Sequence, residues 1–297
     1  MARNREKIGS LTHQVKSVLD TKLAIGESKH ADKARGVTHE KIYSWETYRS
    51  YMKHLNYFTD YCKAEHGCRT LEDCRSYVDE WLISRNNLSA YTQKLESSAL
   101  AKLYGCSTKD FVQTAVRNRS EIVRSRGDKI RDKHFSEEKH SDLVEFCKAT
   151  GLRRNELKAL TGDKLTYKDG KPYIVVSSGS KGGRYREAPV IGNIEHVVNL
   201  MQKVGNNKVF EKIPNGADIH SYRADYATAI YKANARPIEQ IPYDKTNKGT
   251  GRNYQSEVYH CRGDLKGTTY DKQAMLIASQ ALGHNRISVV GEHYIRG

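Results

Sequence analysis

Four short groups of residues in the second half of this 297-residue chain combine side chains that can handle a phosphodiester. The first is Thr150-Gly151-Leu152-Arg153-Arg154-Asn155-Glu156-Leu157, which sets Arg153 at an expected helix start, where backbone N–H groups already favour an anion. Lys181 follows within Gly179-Ser180-Lys181-Gly182-Gly183. The third, His220-Ser221-Tyr222-Arg223, is an i, i+3 pair that puts an imidazole and a guanidinium on one helix face. The fourth runs Leu282-Gly283-His284-Asn285-Arg286-Ile287-Ser288 and ends in His293-Tyr294. Two arginines, a lysine and two histidines can stabilise a pentacoordinate phosphorane without a metal. Guanidinium forks match non-bridging oxygens, and preorganised cations act where charge develops. A tyrosine can supply the nucleophile, because phenolate attack on phosphorus conserves the energy of the broken bond. Singly, each group has an ordinary explanation as a surface charge, a satisfied core histidine, a salt-bridge partner or a packing aromatic. Their joint occurrence in this order carries the weight.

The elements that must position these groups are legible in outline. Ser136, followed by Glu137 and Glu138, predicts a helix start, with Leu143, Phe146 and Cys147 on its apolar face and Gly151 as its stop. A short helix from Arg154 to Leu160 follows. Tyr173-Ile174-Val175-Val176 and Tyr185 to Ile191 then read as strands of a hairpin with Lys181 at its tip. Helices are expected from Ile194, from about His220, and from Asp271 to Leu282. The stretch 236–269, with Pro237, Pro242, four glycines and the basic run 245–252, reads as an irregular insertion. Upstream, Leu11, Val15, Val18, Leu19 and Leu23 recur at helical spacing in a basic segment, as a helix or an arm. Trp45, Tyr48, Met52, Leu55, Phe58 and Cys62 form the stripe of a helix from Ser44 to about Glu65. Helices over Leu71–Ser84 and Ala90–Tyr104 would pack against it. Between Arg117 and His134 seven Lys and Arg face three acids, as expected of a linker. The expected organisation is an N-terminal helical domain over 1–116, a basic linker over 117–134, and a mixed α/β domain over 135–297, mostly α with a small β-hairpin or sheet.

Composition narrows the partners. A net charge of +15, with 50 Lys and Arg against 35 Asp and Glu, favours a polyanion, and nucleic acid first, because phosphate contacts release counterions. With 37% hydrophobic residues and 19 tyrosines the chain is too apolar for a disordered polycation. No stretch approaches the ~18 apolar residues of a membrane span, and no apolar signal core follows the N-terminus, so no membrane partner is expected and the reading is cytoplasmic. Six cysteines without a C-x-x-C pair fit a reducing compartment. Cys62, Cys68 and Cys74 with His66 match no zinc-finger spacing, and 245–252 lacks the Walker order G-x-x-x-x-G-K-[ST]. Carboxylates do not cluster among the candidate groups, which argues against a two-metal nuclease.

Gly151-Leu152-Arg153 with Glu156, Lys181 on a hairpin, His220-x-x-Arg223, Leu282-Gly283-His284 and Tyr294 resemble, in order, the boxes of the tyrosine recombinases, especially the integrases of bacterial prophages and integrative elements. The N-terminal helices resemble that family's SAM-like core-binding domain. The resemblance implies a clamp around duplex DNA, four protomers on two paired recombination sites with possible DNA-bending accessory proteins, a location with the bacterial nucleoid, and no metal or nucleotide cofactor. It implies Arg153 and Arg223 as clamps on the scissile phosphate and Lys181 as the donor to the leaving 5′-hydroxyl. His220 and His284 would assist proton transfer and stabilise the transition state, Tyr294 would form a 3′-phosphotyrosyl bond, and Glu156 would orient an arginine. The sequence departs from the family pattern in the longer separation of His220 from His284, which contains the 236–269 insertion. It also departs in a His284-to-Tyr294 spacing one residue longer than usual, although no other tyrosine follows His284. Only three residues follow Tyr294, so tail exchange between protomers in its common form is not expected. The same residues would serve a type IB topoisomerase, and a catalytically silent DNA-binding architectural protein is the alternative from another class.

Overall fold

The computed structural model describes residues 9–118, 135–180, 185–241, 257–284 and 286–295. The chain divides into two compact units, Met1–Glu121 and Ile122–Gly297. The expected linker lies outside the described residues from 119 onward. Among the described residues no helix is long and apolar enough to cross a membrane.

The first unit is all helical. Helix α1 (Leu11–Asp20) starts where the Ser10 hydroxyl accepts from the His13 N–H, and it buries Leu11, Val15 and Leu19, so this part of the basic segment is a packed helix. After α2 (Lys29–Ala34), α3 (Trp45–His66) is capped by Ser44 and stopped by Gly67 at φ 65°, turning Leu55, Phe58 and Cys62 inward. Trp45 departs from the expected apolar stripe. It is 51% exposed in the first turn, edge-on to Tyr48, because the stripe begins to meet a partner only further along. The single helix expected over Leu71–Ser84 is two, α4 (Leu71–Arg75) and α5 (Val78–Ser84). At the break the Tyr77 N–H closes back on the carbonyl of Cys74, three residues earlier, and the α ladder stops. Helix α6 (Ala90–Tyr104) runs as its spacing predicts, between Ser89 and Gly105. Phe58 and Trp81 meet edge to face at 5.3 Å in the core, which also takes in Cys62, Cys68 and Cys74.

The second unit carries the candidate groups. Helix α7 (Ser141–Thr150) begins later than Ser136, whose hydroxyl accepts from the Lys139 N–H at 3.5 Å, within a 3-10 turn over Glu138–His140. It ends at Gly151, and α8 (Arg154–Ala159) follows directly. Strands β1 (Leu165–Lys168), β2 (Lys171–Val176) and β3 (Arg186–Pro189) form an antiparallel sheet in that order. The β2–β3 hairpin matches the expected one, but 181–184 at its tip lie outside the described residues. Helices α9 (Ile194–Val204) and α10 (Ile219–Asn234) follow. The stretch expected to be irregular carries a two-stranded antiparallel sheet near its end, β4 (Val258–His260) with β5 (Thr269–Asp271); 242–256 lie outside the described residues. Helix α11 (Lys272–Leu282), capped by Asp271, leads to α12 (Ser288–His293). Thus the described chain is mostly α-helical with two small antiparallel sheets.

Helix α10 joins two cores. Its Tyr222 packs with Phe146, Leu152, Leu157 and Ile174, while Tyr226, Ala227 and Ile230 pack with Met275, Ala278, Leu282 and Tyr294. Each fully buried large apolar side chain contributes about 1.5–3 kcal/mol, so the helix that carries His220 and Arg223 is anchored from both sides.

Candidate active site

The site is built outward from Glu156. Arg153 precedes the first turn of α8 in extended conformation, and the carboxylate three residues on accepts from its backbone N–H at 2.7 Å and from its Nη1 at 2.8 Å. One acid thus caps the helix and holds the guanidinium. From β3, Arg186 donates through Nη1 and Nη2 to the two oxygens of Glu156 at 2.7 and 2.8 Å. Burial pushes this carboxyl up, but the hydrogen bonds and charge of Arg186, aided by Arg153, outweigh it and bring Glu156 down to about 2. The Nε of Arg186 donates to the carbonyl of Ala281 at 3.1 Å, at the end of α11.

The next residue along, Leu282, offers its carbonyl oxygen to both candidate clamps: Arg153 Nη2 lies 3.4 Å away, and Arg223 Nη2 donates to it as well. Arg223, only 1% exposed, also donates through Nη1 to the carbonyl of Gly151. The position requires glycine, since Gly151 takes φ +59° and a Cβ there would sit 2.2 Å from the Tyr226 ring. The Nε of Arg223 is buried with no partner, and no carboxylate pairs with this guanidinium among the described residues. Burial, then the charge of Arg153, lower Arg223 to about 10, which leaves it protonated at neutral pH.

Tyr294 closes the site from the end of α12. Its ring centroid is 5.4 Å from the Arg223 guanidinium carbon, 5.3 Å from the His284 ring and 6.2 Å from the His220 ring, the last nearly parallel to it. The residue is 5% exposed, and its backbone is held by Val290 and by the Thr228 hydroxyl at 3.2 Å. His284 Nε2 is 3.5 Å from Arg223 Nη2. Burial, then the charges of Arg223, Arg153 and Arg186, push His284 down to about 4, so its imidazole is neutral at neutral pH.

Five of the six candidate residues therefore converge: Arg153, Arg223, His220, His284 and Tyr294. Lys181 lies outside the described residues, on the connection between β2 and β3. His220 and Arg223 both lie against the Tyr294 ring but differ in burial, His220 being exposed and Arg223 buried. The sequence reading missed Arg186. Its signal was an arginine on the inward face of an expected strand, in step with Ala188 and opposite Val176.

No family model and no curated protein matches the chain. Among known structures, the chain overlaps the XerH site-specific recombinase in a post-cleavage complex with its palindromic difH substrate at 15% identity and a TM-score of 0.49, covering 97% of this chain and 90% of that one. It overlaps the integrase of the Tn1549 transposon in complex with circular intermediate DNA at 13% identity and a TM-score of 0.46, covering 97% and 96%. XerA recombinase overlaps at 14% identity and a TM-score of 0.29, covering 97% and 94%. These overlaps are too loose to carry a residue role, and the chemistry has to come from the side chains themselves.

Proposed function

We propose that this chain is a tyrosine-type site-specific DNA recombinase, an integrase of a bacterial prophage or integrative element, that breaks and rejoins strands through a covalent 3′-phosphotyrosyl intermediate. One observation carries the proposal: a guanidinium buried without a carboxylate, its Nε unpartnered, against the ring of Tyr294. A buried, unpaired cation is costly unless a ligand supplies the anion. The +15 charge makes a nucleic-acid phosphate the fitting ligand.

In this mechanism the phosphate of a duplex enters beside Arg223 and Arg153, whose N–H groups take its non-bridging oxygens. Tyr294 attacks phosphorus as its phenolic proton passes to His220, the O5′–P bond breaks, and the leaving 5′-oxygen takes a proton from Lys181. His284, neutral, hydrogen-bonds the equatorial oxygens. The product is a tyrosyl phosphodiester and a free 5′-hydroxyl. Attack by the 5′-hydroxyl of another strand reverses the step and regenerates the phenol. One phosphodiester replaces another, so the cycle balances without nucleotide hydrolysis, and the charge neutralisation a metal would supply falls to the arginines and Lys181. The working assembly in this proposal is four copies on two duplex sites.

A nicked suicide duplex tests it. In EDTA the wild type becomes covalently trapped on the DNA, whereas Tyr294→Phe binds and traps nothing. Trapping by the phenylalanine variant removes the assigned nucleophile, and a requirement for Mg²⁺ removes the mechanism. Strand exchange between two duplexes, beyond plasmid relaxation, separates a recombinase from a topoisomerase.

A further inference from the structure

We propose that Arg186 is a positioning residue for strand cleavage, setting the guanidinium of Arg153 and the turn after α11 at one fixed separation. The proposal rests on the recombinase reading above.

Arg186 touches three parts of the site at once. Its two Nη groups grip both oxygens of Glu156, the carboxylate that also binds the backbone and side chain of Arg153. Its Nε reaches the carbonyl of Ala281, one residue before the Leu282 carbonyl that both Arg153 and Arg223 use. The aliphatic part of Arg186 lies against Gly283, where a Cβ would come within 2.7 Å of Cδ, so the turn that leads to His284 is moulded onto this side chain. Arg186 also opens β3. Its own exposure is only 8%, so it is not available to DNA and works through Glu156 and the chain after α11.

A purely structural ion pair would need only one partner for the buried Glu156, and Arg153 already supplies one. The second arginine adds a planar, bidentate grip that a point charge cannot reproduce. Fixing both Glu156 oxygens fixes the acceptor to which Arg153 Nη1 donates. In a preorganised site a displacement of about 1 Å can cost about 100-fold in rate, so orientation is where the effect should appear.

Arg186→Lys keeps the charge and loses the fork. Single-turnover cleavage of the suicide duplex at saturating protein is expected to fall at least about tenfold, while affinity for the intact duplex stays within about threefold, a split in which the loss lies in the chemical step. Cleavage within about twofold of wild type, or a rate loss matched by an equal loss of affinity, overturns the proposal. Should the lysine variant not fold, the Glu156→Gln/Arg186→Gln pair removes both buried charges, keeping the side-chain volume at 156 and shortening the side chain at 186. It too is expected to bind and to cleave slowly, and wild-type cleavage by the pair overturns the proposal. Tyr294→Phe, assayed in parallel, keeps the two failures apart. If it still traps DNA, the recombinase reading falls; if it is dead while Arg186→Lys cleaves normally, only the positioning role falls.

Discussion

Arg153 and Arg223, 70 positions apart on α8's cap and on α10, donate to the same acceptor, the carbonyl oxygen of Leu282. The oxygen carries a partial negative charge at the end of α11, where the helix dipole concentrates it, so it draws two guanidinium groups together that would otherwise repel. A scissile phosphate would take up the same role with a full charge.

Removing one of the pair should therefore act on the chemical step. Arg153→Ala is expected to lower single-turnover cleavage by about 10²- to 10³-fold, about 3–4 kcal/mol of transition-state stabilisation, the scale of deleting one preorganised donor. Affinity measured by titration of a fluorescent duplex should change far less. Parallel losses of rate and affinity would show that Arg153 holds the ground state alone.

His284 is expected to be neutral throughout the working range. Its imidazole sits near 4 in the folded state against an ordinary 6.5, because burial and three arginines oppose its charge. A depressed value means that the unfolded chain binds the extra proton first. The contribution is complete above about pH 6.5 and is lost as the pH falls from there towards 4, on the order of 1–3 kcal/mol. Denaturant melts of wild type and His284→Gln at pH 7 and 4.5 check the sign. The stability gap between them should narrow at the lower pH, and a gap that widens would place a charged imidazole in the site.

Glu156 gives a second window, lower on the pH scale. With a folded value of about 2 against 4.5, its contribution is present above about pH 4.5 and disappears towards pH 2. Glu156→Gln strands two neighbouring guanidinium groups, and at pH 7 it should cost about 2–4 kcal/mol in a urea melt. As the pH falls to about 2 the variant and the wild type should converge; a constant difference would mean that packing, not the ion pairs, sets the cost.

Gly151 should tolerate alanine poorly. The Cβ would lie 2.2 Å from the ring of Tyr226 and the backbone would be held at φ +59°, so strain and overpacking add to about 2–5 kcal/mol. Gly26→Ala is the control, since it too has positive φ, +89°, but nothing within 4 Å; it should cost about 1–2 kcal/mol. Thermal midpoints of the two variants measure the difference.

Much of the frame was readable because local signals agree with the tertiary contacts. Ser44 and Gly67 bracket α3, and Ser89 and Gly105 bracket α6, each where the apolar spacing starts and stops. Strand β1 escaped because Leu165-Thr166-Tyr167-Lys168 lies along one edge of its sheet with no residue fully buried, leaving no alternation to read, although Asp169-Gly170 is a two-residue hairpin turn with both φ values positive. The break between α4 and α5 escaped for the opposite reason: Cys74, Val78, Trp81 and Leu82 keep helical spacing straight across it.

Residue types and their order along the chain determined which chemistry was on offer, since a charged or nucleophilic group keeps its reactivity wherever the backbone takes it. Convergence was not in the sequence. Only packing decided that α10 would bury Arg223 and leave His220 exposed beside the tyrosine, and that Arg186 would reach Glu156 from β3. Contacts between elements far apart in the chain depend on how whole helices and strands stack, and the burial they create sets whether His284 carries a proton and whether a guanidinium is left waiting for an anion.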